Sequence, residues 1–171
     1  MSDKSIRIIA SVGLAVGAAL GLGGTFASSD SVRGLAWGID GIGIVTAGAL
    51  LAIYFARKGD DLLAAGFLVF TIGESLLVGS AAMSLEASAP MFGGGVGLWA
   101  VGLVLIGTSK FFPLVVRIIG YLAAILFAMV SVHIFYGDHL TPMSSPLPFF
   151  AYPVLVLTMI GWIWTLLRGE E

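Results

Sequence analysis

The chain has 171 residues, of which 58% are hydrophobic and 11% charged, with a mean hydropathy of +1.06 and a formal net charge of −2. A soluble domain carries about 25% charged residues, so this composition excludes a soluble enzyme, a disordered tail and a phosphate-binding partner of nucleic acid. The absence of cysteine removes disulfides, thiolate metal sites and a cysteine nucleophile.

Crossing a ~30 Å hydrocarbon core takes about 20 apolar helical residues at ~1.5 Å each. Six stretches are long enough: 7–27, 37–56, 62–83, 93–112, 114–136 and 149–167. Their continuous apolar runs lack the period-two alternation of a β-barrel. They predict an all-α, polytopic transmembrane bundle of six helices, a single domain over 1–171 with the lipid bilayer as its surroundings. The first stretch also has the form of a secretory signal peptide, with Lys4, Arg7 and the cleavage-like Thr25-Phe26-Ala27. Its glycines at 13, 17 and 21 form a packing stripe instead, so it is expected to stay as the first helix. Arg57-Lys58-Gly59-Asp60-Asp61 makes a tight turn that sets helices two and three antiparallel, with Asp60 or Asp61 as the next N-cap. Pro113 opens helix five, and the prolines at 142, 146 and 148 keep the segment from Gly137 to Pro148 non-helical.

Basic residues gather on the cytoplasmic side of membrane proteins. With both termini cytoplasmic (N-in, C-in), Lys4, Arg7, Arg57, Lys58, Lys110, Arg117 and Arg168 all fall inside and only Arg33 falls outside. Trp37, Tyr136, Phe149, Phe150 and Tyr152 are then expected at the outer interface, and Tyr54, Phe111, Phe112 and Trp164 at the inner one.

Membrane helices associate through small residues that let backbones approach. Gly13, Gly17 and Gly21 form such a stripe on helix one; Gly66, Gly73 and Ser80 form one at heptad spacing on helix three. These stripes serve either a tight monomeric bundle or, most plausibly on helix one, a homo-oligomer seam. Spacing does not separate the two.

Glu74 is the most informative residue. It lies about 18 Å into helix three, near the midplane, where a carboxylate costs several kcal/mol and should be neutral or paired. No Lys or Arg shares its depth. By the same arithmetic Thr46 is at its height on helix two, and Thr71 is one turn below on the same face. The functional reading is a proton or cation site; the structural one is a buried hydrogen bond that fixes packing. Asp40, one turn into helix two, and His133, one turn from the outer end of helix five, extend a polar region outward. Glu86, Asp138 and His139 form its solvated rim; their spacing lacks a metal-binding pattern, and two histidines do not make a bis-His haem pair, so no metal or cofactor is expected.

Gly73-Glu74-Ser75 with His133 vaguely resembles the Gly-x-Ser and His of rhomboid proteases. Leu76 stands where a second Gly is required, the two residues fall on the wrong helices, and Ser75 is ~7–8 Å lower than His133. From Asp61 to Leu85, the run Ala65-Gly66-Phe67, Ile72-Gly73-Glu74-Ser75 and Gly79-Ser80 resembles the third helix of a group of uncharacterised bacterial six- to seven-helix integral membrane proteins. That resemblance implies a bacterial inner (plasma) membrane and says nothing of mechanism. The expected function is a small transporter or channel-like protein with an extracytoplasmic polar pocket and Glu74 at its floor. The alternative is a non-catalytic scaffold or accessory subunit of a larger membrane complex.

Overall fold

A computed structural model describes residues 2–168, and among these the chain forms six α-helices and no strand. They are α1 (Asp3–Gly24), α2 (Asp30–Arg57), α3 (Asp61–Ser80), α4 (Leu85–Thr108), α5 (Leu114–Tyr136) and α6 (Ala151–Arg168). All six are long and apolar enough to span a membrane. Side chains such as Leu68 and Ile72 on α3, or Leu122, Ile125 and Met129 on α5, point out of the bundle, which suits hydrocarbon and not water.

Local chemistry sets the helix starts. The hydroxyls of Ser2, Ser29 and Ser84 and the Asp60 carboxylate each accept a hydrogen bond from a backbone N–H in the first turn. The Ser29 cap starts α2 at Asp30 rather than at 37, and the Ser84 cap starts α4 at Leu85 rather than at 93, with Pro90 accommodated inside. The α2–α3 turn needs Gly59 at φ +76°, and α5 ends on Gly137 at φ +114°, both left-handed conformations that suit glycine. Asp60 also receives a 2.8 Å hydrogen bond from the Ser109 hydroxyl, which ties the α2–α3 turn to the end of α4.

Each helix packs against its predecessor and successor, and α6 returns to α1, so the six close into a ring. Glycine allows the tightest crossings. A Cβ on Gly13 of α1 would lie 2.5 Å from the Gly43 carbonyl oxygen of α2. One on Gly73 of α3 would lie 2.6 Å from the Gly95 carbonyl oxygen of α4, and one on Gly102 would lie 2.8 Å from the Phe70 nitrogen. Backbones thus touch where lipid offers no hydrophobic drive for association. The α1 stripe is filled from within the chain: Gly17 faces Ile44 and Gly21 faces the Asp40 carboxyl.

The interior of the ring differs between its two ends. Lys58, Arg57, Lys110 and Arg117 lie at one end, here the basic end, together with the start of α1 and the close of α6. From there an aromatic column runs inward: Phe55 stacks on Phe67 at 5.6 Å, Phe67 meets Trp162 at 5.2 Å, Trp162 meets Phe70 at 5.7 Å, and Phe70 stacks on Trp99 at 5.4 Å. Phe112 and Tyr54 lie at the basic end but are buried with this core, their rings turned inward from the α4–α5 turn and α2. Phe111 and Trp164 stay exposed at the basic end.

Candidate functional site

Beyond the aromatic column the ring encloses a cavity of about 80 Å³, room for several water molecules. Its walls come from α1, α2, α3, α4 and α6, and it extends to Met83, Pro142 and the first residue of α4, Leu85, at the end opposite the basic one. Asp40 and Glu74 both line it.

Asp40 owes its place to the early start of α2. Ten residues past Asp30 it sits almost three turns into the helix, about 15 Å deep, instead of one turn. Its carboxyl occupies space that α1 leaves by having Gly17 and Gly21 opposite: Cβ atoms there would lie 3.1 and 2.7 Å from its oxygens. Glu74 approaches from α3, and a Cβ on Gly41, the neighbour of Asp40, would lie 3.0 Å from Glu74 Oε1. The two carboxyls therefore belong to one cavity.

Both are more than nine-tenths buried, at 9% and 2% exposure. Asp40 Oδ1 and Glu74 Oε2 have no hydrogen-bond partner, and neither does the buried Trp99 indole N–H, which faces Glu74 without reaching good hydrogen-bond geometry. Among the described residues no Lys, Arg or His lines the cavity. Its remaining polar groups are already engaged. Trp37 donates to the Gly21 carbonyl at 3.2 Å, Tyr152 to the Pro142 carbonyl at 3.0 Å, and Ser80 and Ser88 to the Leu77 and Leu85 carbonyls at 2.8 and 2.7 Å.

Of the candidate polar-pocket residues, Glu74 and Asp40 come together while Thr46 and His133 do not join them. Thr46 is exposed on the outer face of α2, because Asp40, Ile44, Ala47 and Leu51 set the buried stripe and position 46 falls opposite it. His133 is exposed at the end of α5, a helix that contributes nothing to the cavity, and its Nδ1 is hydrogen-bonded to Asp138 Oδ2 at 2.5 Å. Ser75 also faces outward and donates to the Thr71 carbonyl at 2.9 Å, so no Ser–His pair forms. Thr71 is buried below Glu74, but its hydroxyl is spent on the Phe67 carbonyl at 2.7 Å. Gly73 serves the α3–α4 crossing. Among the described residues no three His, Asp or Glu side chains converge as a metal site would require.

Trp99, Tyr152, Ser80 and Ser88 belong to the cavity although the sequence reading did not assign them there. Tyr152 was expected at an interface. Trp99 sits on the buried stripe of α4 with Phe92, Val96 and Leu103, a spacing that could have placed it inward. No protein-family model, curated protein or solved structure matches this chain, which leaves the site's own geometry to indicate function.

Proposed function

We propose that the chain is a small transporter of the bacterial inner membrane that carries a cation or proton through the Asp40–Glu74 cavity. The observation that carries this reading is the pair of buried acids, Asp40 and Glu74, that line one cavity extending toward one end of the bundle, each with a buried oxygen that has no hydrogen-bond partner. A group that merely fixed helix packing would spend its oxygens on a neighbouring helix. Asp40 Oδ1 and Glu74 Oε2 make no such bond, and intramembrane acids that line a cavity mark proton and ion paths.

Orientation follows from charge. Seven of the eight basic residues belong to the basic end and Arg33 to the other, which supports cytoplasmic termini and a cavity that opens to the extracytoplasmic side. The aromatic column from Trp99 to Phe55 closes the cytoplasmic half, so a continuously open channel is disfavoured and alternating access is required. Glycine-lined crossings between α1 and α2, and between α3 and α4, provide smooth surfaces for such sliding.

Purified protein in proteoliposomes tests this. An imposed membrane potential or pH gradient should drive flux that Glu74→Gln and Asp40→Asn each abolish while both variants remain folded. Folded wild type with no flux of protons or of inorganic or organic cations would instead favour the scaffold or accessory-subunit reading.

A further inference from the structure

The cavity's chemistry narrows what it would hold, and the inference rests on the reading of this site as a cation pocket. We propose that its ligand is a small methylated or protonated organic amine, held by its charge between Asp40 and Glu74 and by its methyl groups against aromatic walls.

The balance of donors and acceptors gives the sign. Two acids line the cavity, each with one oxygen that has no hydrogen-bond partner, while the hydroxyls and the Trp37 indole already donate to backbone carbonyls. Only the Trp99 N–H stays uncommitted among the cavity's side-chain donors. An anion would meet no positive charge and a single donor. A neutral polar ligand would leave two acids without positive charge. A cation in the cavity answers the charge of both acids.

The walls give the class of cation. Calcium takes six to eight oxygens at close range, and magnesium demands a near-ideal octahedron. Beyond the two acids, this cavity presents Ile44, Leu77, Phe92, Leu155 and Met159, with Trp37, Trp99 and Tyr152. A bare metal ion would lose its water to aliphatic carbon. An alkylammonium ion is weakly hydrated, gains from apolar contact, and is attracted to the faces of indole and phenol rings. The 80 Å³ volume suits a small ion.

Charge balance couples the cation to a proton. Two carboxylates side by side in a medium of low dielectric do not both stay ionised without a counter-charge. The empty site therefore retains at least one proton, and the entering cation releases it to water. On the walls contributed by α1, α2, α3, α4 and α6, the other titratable group is the Tyr152 phenol, already hydrogen-bonded to Pro142. The exchange belongs to Asp40 and Glu74.

Isothermal calorimetry on the detergent-solubilised chain, with tetramethylammonium as probe and tert-butanol, sodium and calcium as comparisons, tests the inference. Tetramethylammonium should bind more tightly as pH rises, and buffers of different ionisation enthalpy should reveal about one proton released per cation bound. Asp40→Asn and Glu74→Gln should each weaken binding by about tenfold or more. Equal binding of tert-butanol would show an apolar cavity indifferent to charge, and stronger binding of sodium or calcium would show a metal site; either overturns the inference. So does wild type that binds nothing up to pH 9 while it keeps its native melting transition. Tetramethylammonium binding without flux in proteoliposomes would leave the amine site standing and overturn transport. Proton flux without amine binding would do the reverse.

Discussion

A carboxyl group taken out of water into a membrane bundle costs several kcal/mol unless it is neutral or matched by positive charge. At Glu74 and Asp40 that cost is not offset by structural hydrogen bonds, since one oxygen of each is unpartnered. On the proposed transport reading, such acids should be improvable for stability. Glu74→Met, of similar length and fully apolar, should raise the unfolding free energy by about 1–2 kcal/mol in detergent and abolish flux. A loss of more than about 2 kcal/mol would mean that the carboxyl holds the helices together. Glu74 was legible in the sequence because an acid in an apolar run has a depth that simple counting gives. Asp40 was visible but misplaced by two turns. Its depth depends on where α2 begins, and the Ser29-Asp30 cap that sets the start lies outside the most apolar stretch. Thr46 failed for a different reason: height along a helix says nothing of azimuth, and its azimuth points out of the bundle.

Between elements, the decisive residues are glycines whose missing side chains are replaced by a neighbour's backbone. Gly73→Val should destabilise the fold by about 1–3 kcal/mol, because its first carbon would meet the Gly95 carbonyl oxygen and neither backbone can give way cheaply. Gly38, on α2, has no atom within 4 Å of the same position, so Gly38→Ala should be neutral or stabilising by up to about 1 kcal/mol. A thermal-denaturation series in one detergent compares the two directly; equal losses would mean that close approach is not what packs α3 on α4. Gly17→Leu belongs to the same series and should lower stability through Ile44 and Asp40. Small-residue spacing showed that these helices approach closely. It did not identify the partner face, which depends on the rotation each helix adopts inside the ring.

At the level of the molecule, the ring makes two unlike halves: one filled by stacked aromatics, the other open around two acids. The count of helices and the antiparallel pairing of sequential neighbours followed from hydropathy and short turns. Closure of α6 onto α1 did not, since no local signal links helices far apart in the chain, and the cavity exists only because the ring closes. The charge split predicts that unique cysteines at Arg57 and Lys110 are shielded from an impermeant thiol reagent in intact cells while one at Met143 is labelled. Labelling at Arg57 with none at Met143 would invert the orientation and, with it, the side from which the cavity fills.

The central claim is that water and small cations reach the Asp40–Glu74 pair from the extracytoplasmic side, and the natural absence of cysteine makes it directly measurable. Leu77 lines the cavity one turn from Glu74, whereas Leu68 on the same helix faces outward. A small cationic methanethiosulfonate added to intact cells should modify Leu77→Cys, leave Leu68→Cys unreacted, and be slowed at Leu77→Cys by tetramethylammonium. A folded Leu77→Cys protein that resists the reagent as completely as Leu68→Cys, while Met143→Cys reacts, would show a sealed cavity and contradict the account.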